Sequence, residues 1–160
     1  MELTECGFLA VDYGMRPTLT GSERGMTILE HPRHGNRVEL PFGLLRVIPA
    51  LLRPGEEVVG GEELLKRLRR SRKISLDLGH RSALLASPEL IPEEWKSCGA
   101  VYFPGTILGK RNEHNRVLTG TALSRHVPGM VWMGVSWRPT EKDLSGFFSG
   151  RHFVAVLGST

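Results

Sequence analysis

Six histidines, at 31, 34, 80, 114, 126 and 152, are the groups in this chain best suited to proton transfer or metal binding. His31 and His34 stand in "HPRHGN". Such a pair can contribute to a zinc or nickel site when carboxylates fold beside it, but Pro32 and Gly35 make the stretch ordinary turn composition. Acidic partners are scarce, with aspartate only at Asp12, Asp77 and Asp143. There is no His-Glu-x-x-His helix, no phosphate-cradling loop ending in Gly-Lys-Ser/Thr, no Gly-x-Ser-x-Gly elbow and no Cys-x-x-Cys pair. The glycines of "VVGGEE" (58–63) precede a helix, where an anion can bind, but Glu62 and Glu63 put negative charge at that point. Cys6 and Cys98 match no ligand spacing; they read as free thiols of a reducing compartment, with an isolated disulfide as the alternative. The chemistry-bearing residues therefore point to a protein that is not an enzyme and uses no cofactor and no metal.

Binding chemistry is richer. "GMVWMGVSW" (129–137) holds two of the three tryptophans and two of the five methionines. Strand alternation puts Val131, Met133, Val135 and Trp137 on one face, continuously apolar, and Met130, Trp132, Gly134 and Ser136 on the other. Arg125, His126, Arg138, Arg151 and His152 flank it. Tryptophan, methionine and arginine are the residues that protein-binding surfaces favour. A second candidate is "KRLRRSRK" (66–73), where Lys66, Arg67, Arg69, Arg70, Arg72 and Lys73 carry most of the excess behind a net charge of +4. Together with the C-terminal arginines and aromatics, it makes a nucleic-acid-associated protein the alternative reading. The run has no interleaved rings for base stacking, and it also suits the solvated C-terminal end of a helix.

These groups need positioning elements. The 40% apolar content suffices for a core, and 19 glycines and 10 prolines favour turns and short strands. "FLAVDY" (8–13), "MTILEH" (26–31) and "RVEL" (37–40) read as strands, with "PRHGN" closing a hairpin between the last two. "LLRVIPALL" (44–52) reads as a bent strand or a helix broken at Pro49. "GEELLKRLRR" (61–70) is the clearest helix: Leu64, Leu65 and Leu68 form its stripe, and Glu62 and Glu63 precede Lys66 and Arg67 by four residues. "LGHRSALLAS" (78–87) is a second helix with Asp77 as N-cap. "PELIPEEWK" (88–96) gives short helical turns that Trp95 anchors. "GAVYF" (99–103), ending at "PGT", "RVLTGTAL" (116–123), "GMVWMGVSW" and "HFVAVLG" (152–158) read as mainly antiparallel strands, with "RPTEKDLSG" (138–146) a polar loop. The expectation is an α+β fold, a small mainly antiparallel sheet with two short helices. Residues 1–57 form a β-rich arm and 58–160 the C-terminal domain, unless the whole chain is one domain. The start of the chain lacks a signal-peptide pattern and no stretch is long enough to span a membrane, which implies a cytoplasmic protein.

Residues 58–108, "VVGGEELLKRLRR … LDLGHRSALLASPELIPEEWKSCGAVYFPGTIL", resemble an uncharacterised family of short proteins from candidate-phyla bacteria. That family carries a "GEELLKR"-like helix, an "LG-x-R-x-A-x-x-LL" helix, "IPEEWK", a strand ending in "FPGT", a variable Trp-containing segment and a closing "RF-x-AV", here "RHFVAVL" (151–157). A fixed frame around a variable tail looks like the variable proteins of diversity-generating retroelements, which are C-type-lectin-like domains. The resemblance implies a non-enzymatic ligand- or protein-binding domain with a display surface at 124–152. Arg125, His126, Met130, Trp132, Ser136, Arg138, Lys142, Ser149 and His152 would make the contacts. Trp95, Phe103, Gly105, Val131, Val135, Trp137, Phe153, Ala155 and Val156 would form the frame. Phe147 and Phe148 depart from that pattern, standing where relatives carry Trp.

Overall fold

The computed structural model describes residues 8–12, 19, 23–31, 37–98, 100–110, 116–125 and 135–158. In chain order the elements are β1 (Phe8–Asp12), β2 (Thr27–Glu30), β3 (Arg37–Pro41), β4 (Leu45–Pro49), β5 (Val58–Gly60), α1 (Gly61–Arg70), α2 (Leu78–Ala86), β6 (Ala100–Gly109), β7 (Arg116–Arg125), β8 (Val135–Asp143), β9 (Phe147–Ser149) and β10 (Phe153–Leu157). The fold is α+β, with two helices on a mainly antiparallel sheet. No helix among the described residues is long and apolar enough to cross a membrane.

The main sheet has the order β4-β10-β6-β7-β8, and β2 also pairs with β6. Its two sides follow from strand alternation. Tyr102, Ile107, Leu118, Val154 and Val156 join Leu64, Leu65 and Leu68 of α1 with Val59, Leu144 and Phe148. Val101, Phe103 and Ala155 join Leu84 of α2, Leu9 and Val11 of β1, and Trp95. The three leucines expected to face inward from α1 do so, and Trp95 is fully buried, anchored in the 3-10 turn Glu93–Ser97. β2 and β4, from the first 57 residues, are strands of the main sheet.

Several local expectations need correction. β2 and β3 do not form a hairpin: β2 pairs with β6 and β3 with β1. The partners of both strands lie elsewhere in the chain, and residues 32–36 between them lie outside the described set. β6 does not end at "FPGT" but continues to Gly109, and β8 runs through Asp143 where a polar loop was expected from 138. β8 is an edge strand, where polar residues and a proline such as Pro139 are tolerated. One pairing is parallel, Phe153 and Val154 of β10 beside Val101 and Tyr102 of β6. In α1, Glu63 meets Arg67 at 3.3 Å as expected, but Glu62 reaches Arg116 at 2.7 Å rather than Lys66.

The "FPGT" stretch acquires a physical role. Register jumps from Phe103↔Thr119 to Ile107↔Leu118, so Pro104, Gly105 and Thr106 bulge away from β7. Into this bulge fits the start of α2. Gly105 N donates to Leu76 O at 2.9 Å, and Leu78 N donates to the Thr106 hydroxyl at 2.8 Å. A Cβ on Gly105 would stand 2.9 Å from both Leu76 O and the Asp77 Cβ. Asp77 caps α2 as expected, its Oδ1 accepting from Gly79 N at 2.8 Å, while Asp77 N donates to His80 Nδ1 at 3.0 Å. The motif pieces "LDLGHR" and "FPGT", 22 or more residues apart in sequence, are thus the two halves of one joint.

Candidate functional site

β7 and β8 form a ladder longer than the sheet beneath it. The last described pair between β6 and β7 is Ala100↔Ala122, whereas β7 and β8 continue through Leu123↔Trp137, Ser124↔Ser136 and Arg125↔Val135. This ribbon therefore runs three residue pairs past the described start of β6 and leads into residues 126–134. β10 begins beside Val101, so the turn containing His152 lies at the same end of the sheet.

Of the nine expected contact residues, His126, Met130 and Trp132 lie outside the described residues. So do Val131 and Met133 of the expected apolar face. Arg125, Ser136 and Arg138 occupy the ribbon by backbone register, with Arg138 opposite Ala122, and their side chains are outside the described set. The same holds for Val135 and Trp137. The remaining three, Lys142, Ser149 and His152, converge on one ring. Lys142 Nζ sits 5.2 Å from the centroid of Phe148. The His152 ring meets Phe148 edge-on at 5.3 Å and Tyr102 at 6.1 Å, and Tyr102 meets Phe148 at 5.6 Å. Ser149 N donates to His152 Nδ1 at 2.9 Å, with the Ser149 hydroxyl 3.1 Å from the same nitrogen.

The local sequence explains this arrangement. β9 pairs with β5 as a short ribbon in which Val59↔Phe148 faces inward and Gly60↔Phe147 outward. Phe148 is fully buried, while Phe147 is 65% exposed and Val58, on the same outward face, 47%. "SGRH" then folds back on itself: His152 N donates to Ser149 O at 3.0 Å, and Arg151 N to the Ser149 hydroxyl at 3.2 Å. Tyr102 reaches Phe148 across Gly120, whose Cβ would stand 2.8 Å from the Tyr102 ring and 2.7 Å from Val101 O. A glycine inside a strand here marks that close approach.

Burial and the Lys142 ammonium hold the His152 imidazole below its ordinary range, and burial pushes the Tyr102 phenol up. His152 is thus a neutral base beside a hydroxyl, the first two parts of a nucleophile–base pair. Nδ1 already accepts the Ser149 amide, however, and among the described residues no carboxylate orients the ring. The arrangement is suited to shaping a surface: a buried aromatic pair, a cation above it, and an exposed phenylalanine on the adjoining ribbon.

The other candidates are taken up by the fold. His31 Nδ1 bonds the Thr106 hydroxyl at 2.7 Å. Arg81 and Glu23, both buried, form a two-pronged pair with both bonds at 2.6 Å. Among the described residues no cluster of His, Cys, Asp and Glu has the makings of a metal site. The α1 N-terminus is covered, Gly61 N donating to Gly146 O at 3.0 Å. Of the basic run, Arg67 is held by both oxygens of Glu56 at 2.9 Å and by Leu51 O at 2.6 Å, and Arg69 by Glu30 at 3.2 Å. Lys66, Arg70, Arg72 and Lys73 are exposed. The Cys98 thiol lies 3.9 Å from Glu94 O, within donor reach of that carbonyl.

Sequence reasoning missed Tyr102, Phe147, Phe148 and Val58 as parts of the site. The signal for two of them was present: adjacent phenylalanines on a strand must face opposite ways, so one of "FF" is outward wherever the other is core. Comparison with protein-family models, with curated proteins and with solved structures finds no match to this chain.

Proposed function

We propose that this chain is a non-enzymatic binding domain whose contact surface is carried by residues 124–152, with the braced sheet as its frame. One observation carries the reading: the β7–β8 ribbon extends three residue pairs beyond the described start of β6. A segment with no third strand beneath it among the described residues can change sequence without repacking the described sheet. Exposed Phe147 and Val58, with half-buried Lys142, add apolar and cationic chemistry of the kind that anchors partners. The C-type-lectin-like fold and the retroelement-diversified display surface implied by the family resemblance belong to this proposal. A reverse transcriptase and a near-copy of the 3′ coding segment beside the gene are what the diversified form of the reading requires.

The test pairs binding with stability. Partners captured by the immobilised wild-type chain are challenged with Trp132→Ala, Arg138→Ala and Phe147→Ser, and each variant's melting temperature is taken alongside. Capture is lost by tenfold or more, as for residues that anchor an interface, while melting shifts by no more than roughly 2–4 °C, equivalent to about 1 kcal/mol. Capture undiminished in all three overturns the reading. A large fall in melting temperature for Trp132→Ala moves that residue into the core and removes the main anchor.

A further inference from the structure

We propose that His152 is a positioning residue rather than a contact residue: its bare Nδ1 holds the Ser149 amide and so fixes β9, making the binding surface collapse on acidification. The inference rests on the reading of 124–152 as that surface and concerns its regulation.

The geometry fixes the tautomer. Ser149 N donates to His152 Nδ1 at 2.9 Å, so that nitrogen carries no hydrogen and Nε2 carries it instead. Protonation places a hydrogen on Nδ1, facing the hydrogen of the Ser149 amide. The two cannot share that line, and the hydrogen bond from the Ser149 amide is lost. The Ser149 hydroxyl, 3.1 Å away, can turn to accept the new N–H, but it does not satisfy the abandoned amide. The ring packs against both Tyr102 and Phe148, so it cannot swing aside without disturbing those contacts.

The surroundings oppose a second charge. From β8, Lys142 stands over the Phe148 ring against which the imidazole packs. From β6 and β9, Tyr102 and Phe148 present rings, and Arg151 in the same turn is exposed. Among the described residues no carboxylate faces the imidazole. The His152 shift is downward, from burial first and the Lys142 ammonium second, with the backbone hydrogen bond at Ser149 acting the other way.

The consequence reaches the surface because Ser149 ends β9. Val58↔Ser149 is the terminal pair of the β5–β9 ribbon, and exposed Phe147 lies at its other end. Loss of the latch releases the Ser149 end of the three-residue strand that presents Phe147, which then rests on its pairing with β5, the buried Phe148 and the His152 N–H bond to Ser149 O.

Asparagine discriminates this role from simple packing, because Oδ1 of Asn occupies the place of Nδ1, accepts the amide and does not titrate. The experiment is amide hydrogen exchange at Ser149 by NMR between pH 7.5 and 5.5, corrected for intrinsic chemistry and referred to Val154. It uses the free chain and needs no ligand. In the wild type, Ser149 protection falls by tenfold or more across that range. In His152→Asn it stays constant, and in His152→Ala it is absent throughout. Nitrogen shifts of the imidazole at pH 7.5 report the Nε2–H form. Equal pH dependence in wild type and His152→Asn, wild-type protection that does not change, or an Nδ1–H tautomer overturns the proposal. With the latch confirmed, binding that is blind to pH refutes the placement of the contact surface and leaves the latch intact, so the two failures are distinguishable.

Discussion

Thr106 offers the sharpest test of how the frame is held. Its hydroxyl is fully buried, accepts the Leu78 N–H at 2.8 Å and bonds His31 Nδ1 at 2.7 Å. Because the Leu78 amide is the donor in the first bond, the hydroxyl hydrogen is free for the second. Thr106→Val keeps the shape and deletes both. The Leu78 amide opens α2, a position where the backbone has no partner within the helix, and Leu78 is itself fully buried. Leaving that donor unsatisfied costs about 1–3 kcal/mol, and the part-buried bond to His31 contributes about 1 kcal/mol more. The sum, about 2–4 kcal/mol, corresponds to a melting-temperature fall of roughly 4–16 °C for a chain of this length. Thr106→Ser keeps the hydroxyl and loses only a methyl, about 1 kcal/mol. Urea unfolding of the three proteins gives the order wild type, Ser, Val in decreasing midpoint, with unchanged slopes. Val within about 0.5 kcal/mol of wild type, below the net worth of an ordinary hydrogen bond, refutes the brace. So does Ser as damaging as Val.

Gly120→Ala brings a Cβ to 2.7 Å from Val101 O and 2.8 Å from the Tyr102 ring, so β7 must shift from β6; overpacking of this kind costs about 1–3 kcal/mol, read as a lower urea midpoint, and an unchanged midpoint contradicts the close approach. Hydrogen bonds from Arg67, and then from the Arg53 amide, hold the Glu56 carboxyl below its ordinary value of 4.5. The sign follows: the unfolded chain takes up this proton first, so the stabilisation is complete above about pH 4.5 and is lost as pH falls through the lowered folded value. The stability difference between wild type and Glu56→Gln therefore shrinks on acidification below pH 4.5, measured by urea midpoints at several pH values, and a difference that grows there refutes the pairing.

Legibility in the sequence tracked how local the signal was. α1 declares itself through its leucine stripe and through acids preceding bases, and α2 through Asp77, whose cap is made within the next three residues. β8 hid because an edge strand with "RPTEK" composition satisfies its one-sided pairing without looking apolar. The missing β2–β3 hairpin shows the limit from the other side: "PRHGN" has the chemistry of a reversal, but the strands that flank it pair with β6 and β1, and no local signal names those partners. β5 and β9, three residues each, have too few positions to show a period at all. At the site, Lys142, Ser149 and His152 were reached through a family pattern, whereas Tyr102 and Phe148 were not. Tyr102 meets Phe148 while lying over Gly120, where a Cβ would crowd its ring, and no spacing along the chain reveals that arrangement.

The division of labour between frame and surface follows from where the polar interactions lie. The buried hydrogen bonds and the buried ion pair gather around α2 and the β6 bulge: Asp77, His80 and Thr106, with Arg81 tied to Glu23 and, at 3.3 Å, to the carbonyl of Gly120. These groups tolerate little change, since removing one partner strands another away from water. Beyond Ala122, β7 and β8 stay paired main chain to main chain through Arg125↔Val135, a pairing that many side chains can support. Sequence change is therefore costly at "LDLGHR" and "FPGT". A fixed joint below and a permissive ribbon above is the distribution of constraint that a binding surface needs when its partner, rather than its fold, dictates its residues.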